Sequence, residues 1–170
     1  LSFDEFRCLA EKKLDRKVRI DAPYKICDYR PMFGVILEDY LHGVDYWANC
    51  DMDMLFGDLR TFFNRYKLSN YDRFLHLGHL SLYRNTDKCN QYFKLPGSNC
   101  GSWEQVVSTP KNCLFDEWSG VYGIFHKNNL PMFEERIFAD ISMIYNRFRL
   151  ALDDPNYDQQ VFYWEDGHVY

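Results

Sequence analysis

The six cysteines of this 170-residue chain include no C-x-x-C pair. Zinc ribbons normally carry their ligands at such tight spacing, so a zinc ribbon is not expected. An even cysteine count would permit disulfides in a secreted protein. The scattered spacing, together with a composition that is 46% hydrophobic, instead favours a reduced cytoplasmic protein.

Long apolar runs and basic clusters are also missing. No run approaches the roughly 20 apolar residues of a membrane-spanning helix, and no signal-peptide pattern is present. The formal net charge of −5 argues against a nucleic-acid-binding surface, because neutralising phosphates requires clustered Lys and Arg. The length and the apolar share are sufficient for one globular domain with a core, which we expect over residues 1–170.

The spacing of apolar residues and of turn-forming residues predicts helices interleaved with strands, which favours a layered α/β domain. Asp166-Gly167 predicts a hairpin turn near the end of the chain. Residues 96–110 have the strongest loop composition. Helices are expected over 3–17, 32–42, 59–65, 86–94 and 115–127, and Ser2 with Glu5 predicts a capping box at the start of the first. Strands are expected over 45–54, 137–144 and 160–164, and residues 73–83 predict either a strand pair or one strand bent at Gly78.

Asp51 and Asp53 form a D-x-D motif at the end of the predicted buried strand 45–54. Side chains at i and i+2 of a strand point to the same side, so we expect the two carboxylates to project together. Mg²⁺ and Mn²⁺ are often held by one or two carboxylates, with substrate phosphates and water completing the shell. The spacing alone leaves a second interpretation open, in which Asp53 and Asp58 form the turn after the strand.

Several longer segments surround this motif: KICDYRP (25–31), an apolar stretch ending near Gly43, CDMDMLFGDL (50–59), HLGHLSLYRN (76–85) and LFDEWSG (114–120). In this order they resemble a poorly characterised family of bacterial glycosyltransferases from capsular and lipopolysaccharide-type gene clusters. The resemblance covers about residues 24–118 and continues more loosely to the end.

That family is similar to GT-A glycosyltransferases, which implies a Rossmann-like α/β sandwich with one nucleotide-sugar site. GT-A proteins usually begin with a strand–helix–strand unit that holds the nucleobase. This chain starts at Leu1 and opens on a predicted helix. The resemblance therefore implies a fragment that lacks the first βα unit.

The resemblance also implies roles for individual residues on the donor side. Asp51 and Asp53 would bind Mn²⁺ or Mg²⁺ and the diphosphate of a UDP- or GDP-sugar. Asp28 and Arg30, together with Lys25, would lie near the nucleotide. The alternative interpretation is surface charge for Lys25 and Arg30, and a cap or turn bond to the backbone for Asp28.

Asp116 and Glu117 are the candidates for the catalytic carboxylate that deprotonates an acceptor hydroxyl. They lie beside Trp118, whose ring could stack on a sugar. Alternatively, both acids complement the dipole of the predicted helix 115–127. His79 is a candidate for the donor or acceptor site, with a structural role in the core as the alternative. His168 is a candidate metal ligand near the end of the chain.

Two minor roles follow from local pattern, with Asp58 capping the next helix and Cys50 packing in the core. The function expected from the resemblance is transfer of a sugar to a surface polysaccharide or glycan, in the cytoplasm or at the inner face of the membrane. A non-catalytic GT-A-like binding or structural module is the alternative. A metal-dependent phosphatase or nuclease would need more acidic and His ligands near Asp51 than the sequence places there.

Overall fold

The computed structural model describes residues 1–135, 137–145, 147–151 and 155–170. These residues form a mixed α/β protein, which confirms the expected class at that level. They divide into two compact units, one of Leu1–Met52 with Ser69–Glu134 and one of Asp53–Leu68 with Glu135–Tyr170. The single domain over 1–170 and the missing first βα unit stay predictions.

The first unit begins with helix α1 (Phe3–Leu14), whose start is fixed by a capping box. Glu5 N donates to Ser2 Oγ at 3.3 Å, and Ser2 N donates to Glu5 Oε2 at 2.6 Å. The helix ends three residues earlier than predicted, because Asp15 adopts the left-handed conformation at φ 49°. The buried side chains of α1 recur at helical spacing: Phe6, Ala10 and Leu14.

A 3₁₀ helix, Pro23–Met32, follows, and α2 (Phe33–Ile36) and a 3₁₀ turn (Glu38–Tyr40) replace the helix predicted over 32–42. Three residues per turn align positions i, i+3 and i+6, so Pro23–Met32 has three rows of side chains. The row of Ile26, Tyr29 and Met32 packs in or against the core. The row of Lys25, Asp28 and Pro31 is buried, and the row of Tyr24, Cys27 and Arg30 is at least partly exposed.

The sheet of the first unit has the strand order β1-β3-β2-β4, from β1 (Tyr46–Cys50), β3 (Leu80–Arg84), β2 (Arg73–Leu77) and β4 (Met132–Phe133). Strand β3 is antiparallel to both of its neighbours, and β2 is parallel to β4. The strand pair predicted over 73–83 is confirmed as the β2–β3 hairpin. The finer GT-A architecture stays a prediction.

Strand β1 differs from the buried strand expected over 45–54. Its burial alternates, with Trp47 and Asn49 buried and Cys50 exposed, so the prediction of Cys50 as a core residue is wrong. The strand ends before Asp51. The same-side rule for strands therefore does not fix Asp51 and Asp53 together.

The first unit has three further α-helices, α4 (Asp87–Asn90), α5 (Trp103–Ser108) and α6 (Gly123–Lys127), and a 3₁₀ turn, Tyr92–Lys94, follows α4. Helix α5 lies inside the segment predicted as a loop, so that prediction is wrong. Ser102 and Gln105 form a capping box at its start, a sequence signal outweighed by the surrounding Gly and Ser. The helix predicted over 115–127 begins only at the π-type turn Trp118–Tyr122.

The second unit contains α3 (Leu59–Arg65) and the hairpin of β5 (Trp164–Glu165) and β6 (His168–Val169). Asp58 Oδ1 accepts from Thr61 N at 3.0 Å, which confirms the predicted cap. Asp166 and Gly167 both have positive φ, as a tight hairpin turn requires, so that prediction is confirmed. The strand predicted over 137–144 is wrong, since only Ile141 makes an isolated bridge there, and the strand over 160–164 is reduced to its last residue.

Within the described parts of the chain, no helix combines the length and apolar character needed to cross a membrane.

Candidate functional site

Four of the predicted site residues meet in the first unit. We call Arg30, Asp51, Asp116 and Glu117, with the β2–β3 turn residue Gly78, the Arg30 cluster. Arg30 comes from the partly exposed row of the 3₁₀ helix, and Asp51 follows β1. Asp116 and Glu117 precede the π-type turn. Residues far apart in sequence thus converge.

The Arg30 guanidinium joins three segments of chain. Its Nη2 donates to Asp51 Oδ1 at 2.5 Å, and its Nη1 donates to Asp116 Oδ2 at 3.1 Å and to Gly78 O at 3.0 Å. The fork of an arginine suits such simultaneous contacts. The Arg30 side chain is only 15% exposed, whereas that of Asp51 is 38% exposed. Asp51 is therefore held by Arg30 but remains open to solvent.

The Gly78 turn anchors the cluster from the other side. Gly78 N donates to Glu117 Oε1 at 2.9 Å, and Asn49 Nδ2 donates to Gly78 O at 3.0 Å. A Cβ at this glycine would lie 2.5 Å from Asp116 Oδ2 and from Glu117 Oε1. Only glycine allows the two carboxylates to approach the turn so closely.

The two acids of the cluster differ in environment. Asp116 is 3% exposed, and burial raises its pKa to about 6, with the charge of Glu117 adding to the rise and Arg30 opposing it. Glu117 is partly exposed. Asp116 is therefore placed to hold Arg30, and Glu117 is the carboxylate that a ligand can reach.

Asp116→Asn is expected to gain stability relative to the wild type as the pH rises from 4 to 7. The folded protein holds the Asp116 proton up to about pH 6, while the unfolded chain releases it near 3.8, so the stability that the proton provides is lost across this window. Over that window the relative gain is about 3 kcal/mol. Urea unfolding of both proteins at each pH measures it, and a pH-independent difference would contradict it.

Lys25 and Asp28 form a buried ion pair, 2.7 Å between Lys25 Nζ and Asp28 Oδ2, with side chains 1% and 0% exposed. The surface-charge interpretation of Lys25 is therefore wrong. The two Asp28 oxygens accept from Cys113 N and Phe115 N, both at 2.9 Å, which matches the backbone-bond interpretation of Asp28. A nucleotide contact by Asp28 stays a prediction that this burial does not favour. The pair fixes the segment that leads into Asp116.

A family model matches the whole chain, residues 1–170, and its description is a family of unknown function, DUF6625. The chain belongs to this family. No curated protein and no solved structure matches it. Membership of DUF6625 assigns no activity, so function must be argued from the Arg30 cluster.

Arg73 is a buried residue of this DUF6625 chain that sequence reasoning missed. It is 0% exposed, and its Nη2 donates to Asp116 O at 3.2 Å and to His76 O at 2.9 Å. Its guanidinium carbon lies 5.4 Å from the centre of the Tyr83 ring. Arg73 thus holds the backbone of Asp116. The sequence signal for this role was a charged residue at the start of the apolar run RFLHL.

The remaining candidates lie elsewhere or act through the backbone. Asp53 is exposed and His168 lies on β6, both in the second unit. His79 O accepts from Asp51 N at 2.9 Å. Among residues whose structure is described, no three His, Cys, Asp or Glu side chains converge as a metal site. That finding does not bear on Mg²⁺ or Mn²⁺ held by one or two carboxylates and substrate phosphates.

Proposed function

We propose that this member of DUF6625 is a metal-dependent glycosyltransferase that transfers a sugar from a UDP- or GDP-sugar to a glycan acceptor. The supporting observation is the Arg30 cluster. Its members come from the separate segments that resemble glycosyltransferases, and these segments meet at one place. A surface polysaccharide as acceptor, a cytoplasmic location at the inner face of the membrane, and a GT-A architecture belong to the same proposal.

Asp51 is the proposed carboxylate for Mn²⁺ or Mg²⁺. Its side chain is 38% exposed and offers the hard oxygen donors that these ions prefer. When bound, the ion would neutralise charge on the departing diphosphate. Asp51 would hold the ion, and Arg30, which now donates to Asp51, would then have donors for phosphate oxygens. Asp53 remains the second carboxylate that the sequence predicts.

Glu117 is the proposed general base of an inverting reaction. The oxygen of an acceptor hydroxyl forms a bond to the anomeric carbon of the donor sugar. The bond from that carbon to the diphosphate breaks, and the nucleoside diphosphate leaves with the electron pair. The hydroxyl proton passes to the Glu117 carboxylate. Asp116, at 3% exposure, is a positioning residue that holds Arg30.

Titration of UDP and GDP tests the donor site. Mn²⁺ is expected to lower the Kd of one nucleotide by about tenfold or more, and Asp51→Asn is expected to remove this gain. Asp4→Asn is the matched control, since its side chain is 78% exposed on α1. Absence of nucleotide binding, or affinities indifferent to Asp51→Asn and to EDTA, would contradict the proposal.

One observation favours the alternative of a non-catalytic binding module. Arg30 already neutralises Asp51 at 2.5 Å, so the carboxylate is satisfied without an ion. Such a module binds the nucleotide without Mn²⁺ enhancement and without turnover of any nucleotide sugar. The same titration, followed by a turnover assay, therefore separates the two functions.

A further inference from the structure

An aromatic row of Trp118, Tyr122 and His126 lies on the surface of the first unit. The three residues are spaced four apart along the π-type turn and α6. Ring centres are 4.7 Å apart for Trp118 and Tyr122 and 4.4 Å apart for Tyr122 and His126. Trp118 is 49% exposed, and the His126 side chain is 48% exposed. The row begins one residue after Glu117.

The row is held in place from beneath. The buried His76 ring lies 4.9 Å from the Trp118 ring and 5.7 Å from the Tyr122 ring, centre to centre. Between the exposed residues, Val121 is 1% exposed and its N donates to Phe115 O at 2.7 Å. A platform ordered in advance loses little conformational entropy when a ligand binds.

Polar atoms run along the same row. Glu134 Oε2 accepts from Tyr122 Oη at 3.1 Å and lies 2.8 Å from His126 Nε2. The Glu134 side chain is 43% exposed. The row therefore places aromatic rings beside hydrogen-bonding groups that are partly exposed to solvent.

We infer that the aromatic row binds a neutral glycan chain, as the acceptor side of the proposed transferase. A sugar ring presents C–H groups to aromatic rings and hydroxyls to polar neighbours, and the row offers both side by side. The Glu134 carboxylate repels phosphate-rich polymers, and the polar atoms beside the rings disfavour a lipid surface. This inference rests on the proposed function, because the row begins at the residue that follows Glu117 in the chain.

Binding of neutral oligosaccharides tests the inference on the full chain. The probes are cellohexaose, maltohexaose, chitohexaose and mannohexaose, measured by titration calorimetry. At least one is expected to bind, and Trp118→Ala is expected to weaken that binding by about tenfold or more. Trp164→Ala, which removes a tryptophan of similar exposure in the second unit, is expected to leave it unchanged.

Trp118→Phe keeps a ring at this position and is expected to retain most of the affinity, so the test holds even if the alanine variant fails to fold. Binding of none of the four probes, or equal binding by Trp118→Ala and wild type, would overturn the inference.

Nucleotide titration of the same variants separates this inference from the proposed function. Trp118→Ala is expected to keep Mn²⁺-enhanced nucleotide binding, while Asp51→Asn keeps glycan binding. If nucleotide binding is intact and no glycan depends on Trp118, only the row is refuted. If a Trp118-dependent glycan binds and no nucleotide does, the transferase proposal fails while the row stands as a glycan-binding surface.

Discussion

Lys25→Met is expected to lower the free energy of unfolding by about 3–5 kcal/mol, because it leaves the charge of Asp28 buried without its counter-ion. The pair is almost completely buried, and Lys25 Nζ also donates to Val106 O at 2.9 Å and to Lys111 O at 2.6 Å. Losing the ammonium therefore leaves two carbonyls and a carboxylate without this donor. Urea denaturation at pH 7 measures the change.

Lys13→Met is the matched control. Lys13 pairs with Glu38 at 2.6 Å and with Asp39 at 2.8 Å, but both acids are more than half exposed. Surface pairs of this kind contribute about 0–1 kcal/mol. A loss of less than about 1 kcal/mol in Lys25→Met, or equal losses in the two variants, would mean that the buried pair does not have the structural role assigned to it.

Glu117→Gln is expected to lower the rate of sugar transfer by about 10²–10⁴-fold, the usual contribution of a general base. Glutamine keeps the side-chain oxygen that accepts from Gly78 N, so the Arg30 cluster retains its geometry. Nucleotide affinity is therefore expected to stay near the wild-type value. Steady-state kinetics with a donor and acceptor that support turnover give kcat, and titration gives the affinity.

Glu135→Gln removes an exposed carboxylate of the second unit and serves as the control for lost negative charge. It is expected to leave kcat unchanged. If Glu117→Gln retains turnover within a few-fold of wild type, Glu117 is not the base. A matching fall in kcat for Asp116→Asn alone would then move that role to the buried carboxyl.

Local signals predicted those elements whose ends are fixed by neighbouring residues. The Ser2–Glu5 capping box, the Asp58 cap and the Asp166-Gly167 turn each bond within a few residues, so sequence spacing is sufficient to find them. Helix α5 carried a comparable signal, and the loop composition around it hid that signal.

Long-range contacts explain what the sequence could not predict. Lys25 resembles any surface lysine until its partners are known, and two of them, Val106 O and Lys111 O, lie 81 and 86 positions away. Strand β1 was expected to continue through the D-x-D motif, but it ends where its pairing with β3 ends, Cys50 opposite Leu80. Pairing partners, which local propensity does not encode, set that boundary.

The residues of the candidate site were predicted from the sequence, but the contacts between them were not. The resemblance brought Arg30, Asp51, Asp116 and Glu117 together as functional candidates, and in the structure they are neighbours. The resemblance did not reveal that Arg30 would bridge Asp51 and Asp116. Gly78 contributes to one end of that bridge, because its lack of a side chain lets Asp116 and Glu117 approach the β2–β3 turn.

A hydrolysis screen over UDP- and GDP-sugars tests the proposed transferase most directly. Each donor is incubated with the full chain and Mn²⁺, with Mn²⁺ and EDTA, and with Asp51→Asn, and released nucleoside diphosphate is measured. We expect one donor to be hydrolysed slowly, with the activity lost in EDTA, restored by added Mn²⁺ and absent in Asp51→Asn. Release of nucleoside diphosphate from no donor, or release that persists in EDTA and in Asp51→Asn, would contradict a metal-dependent glycosyltransferase.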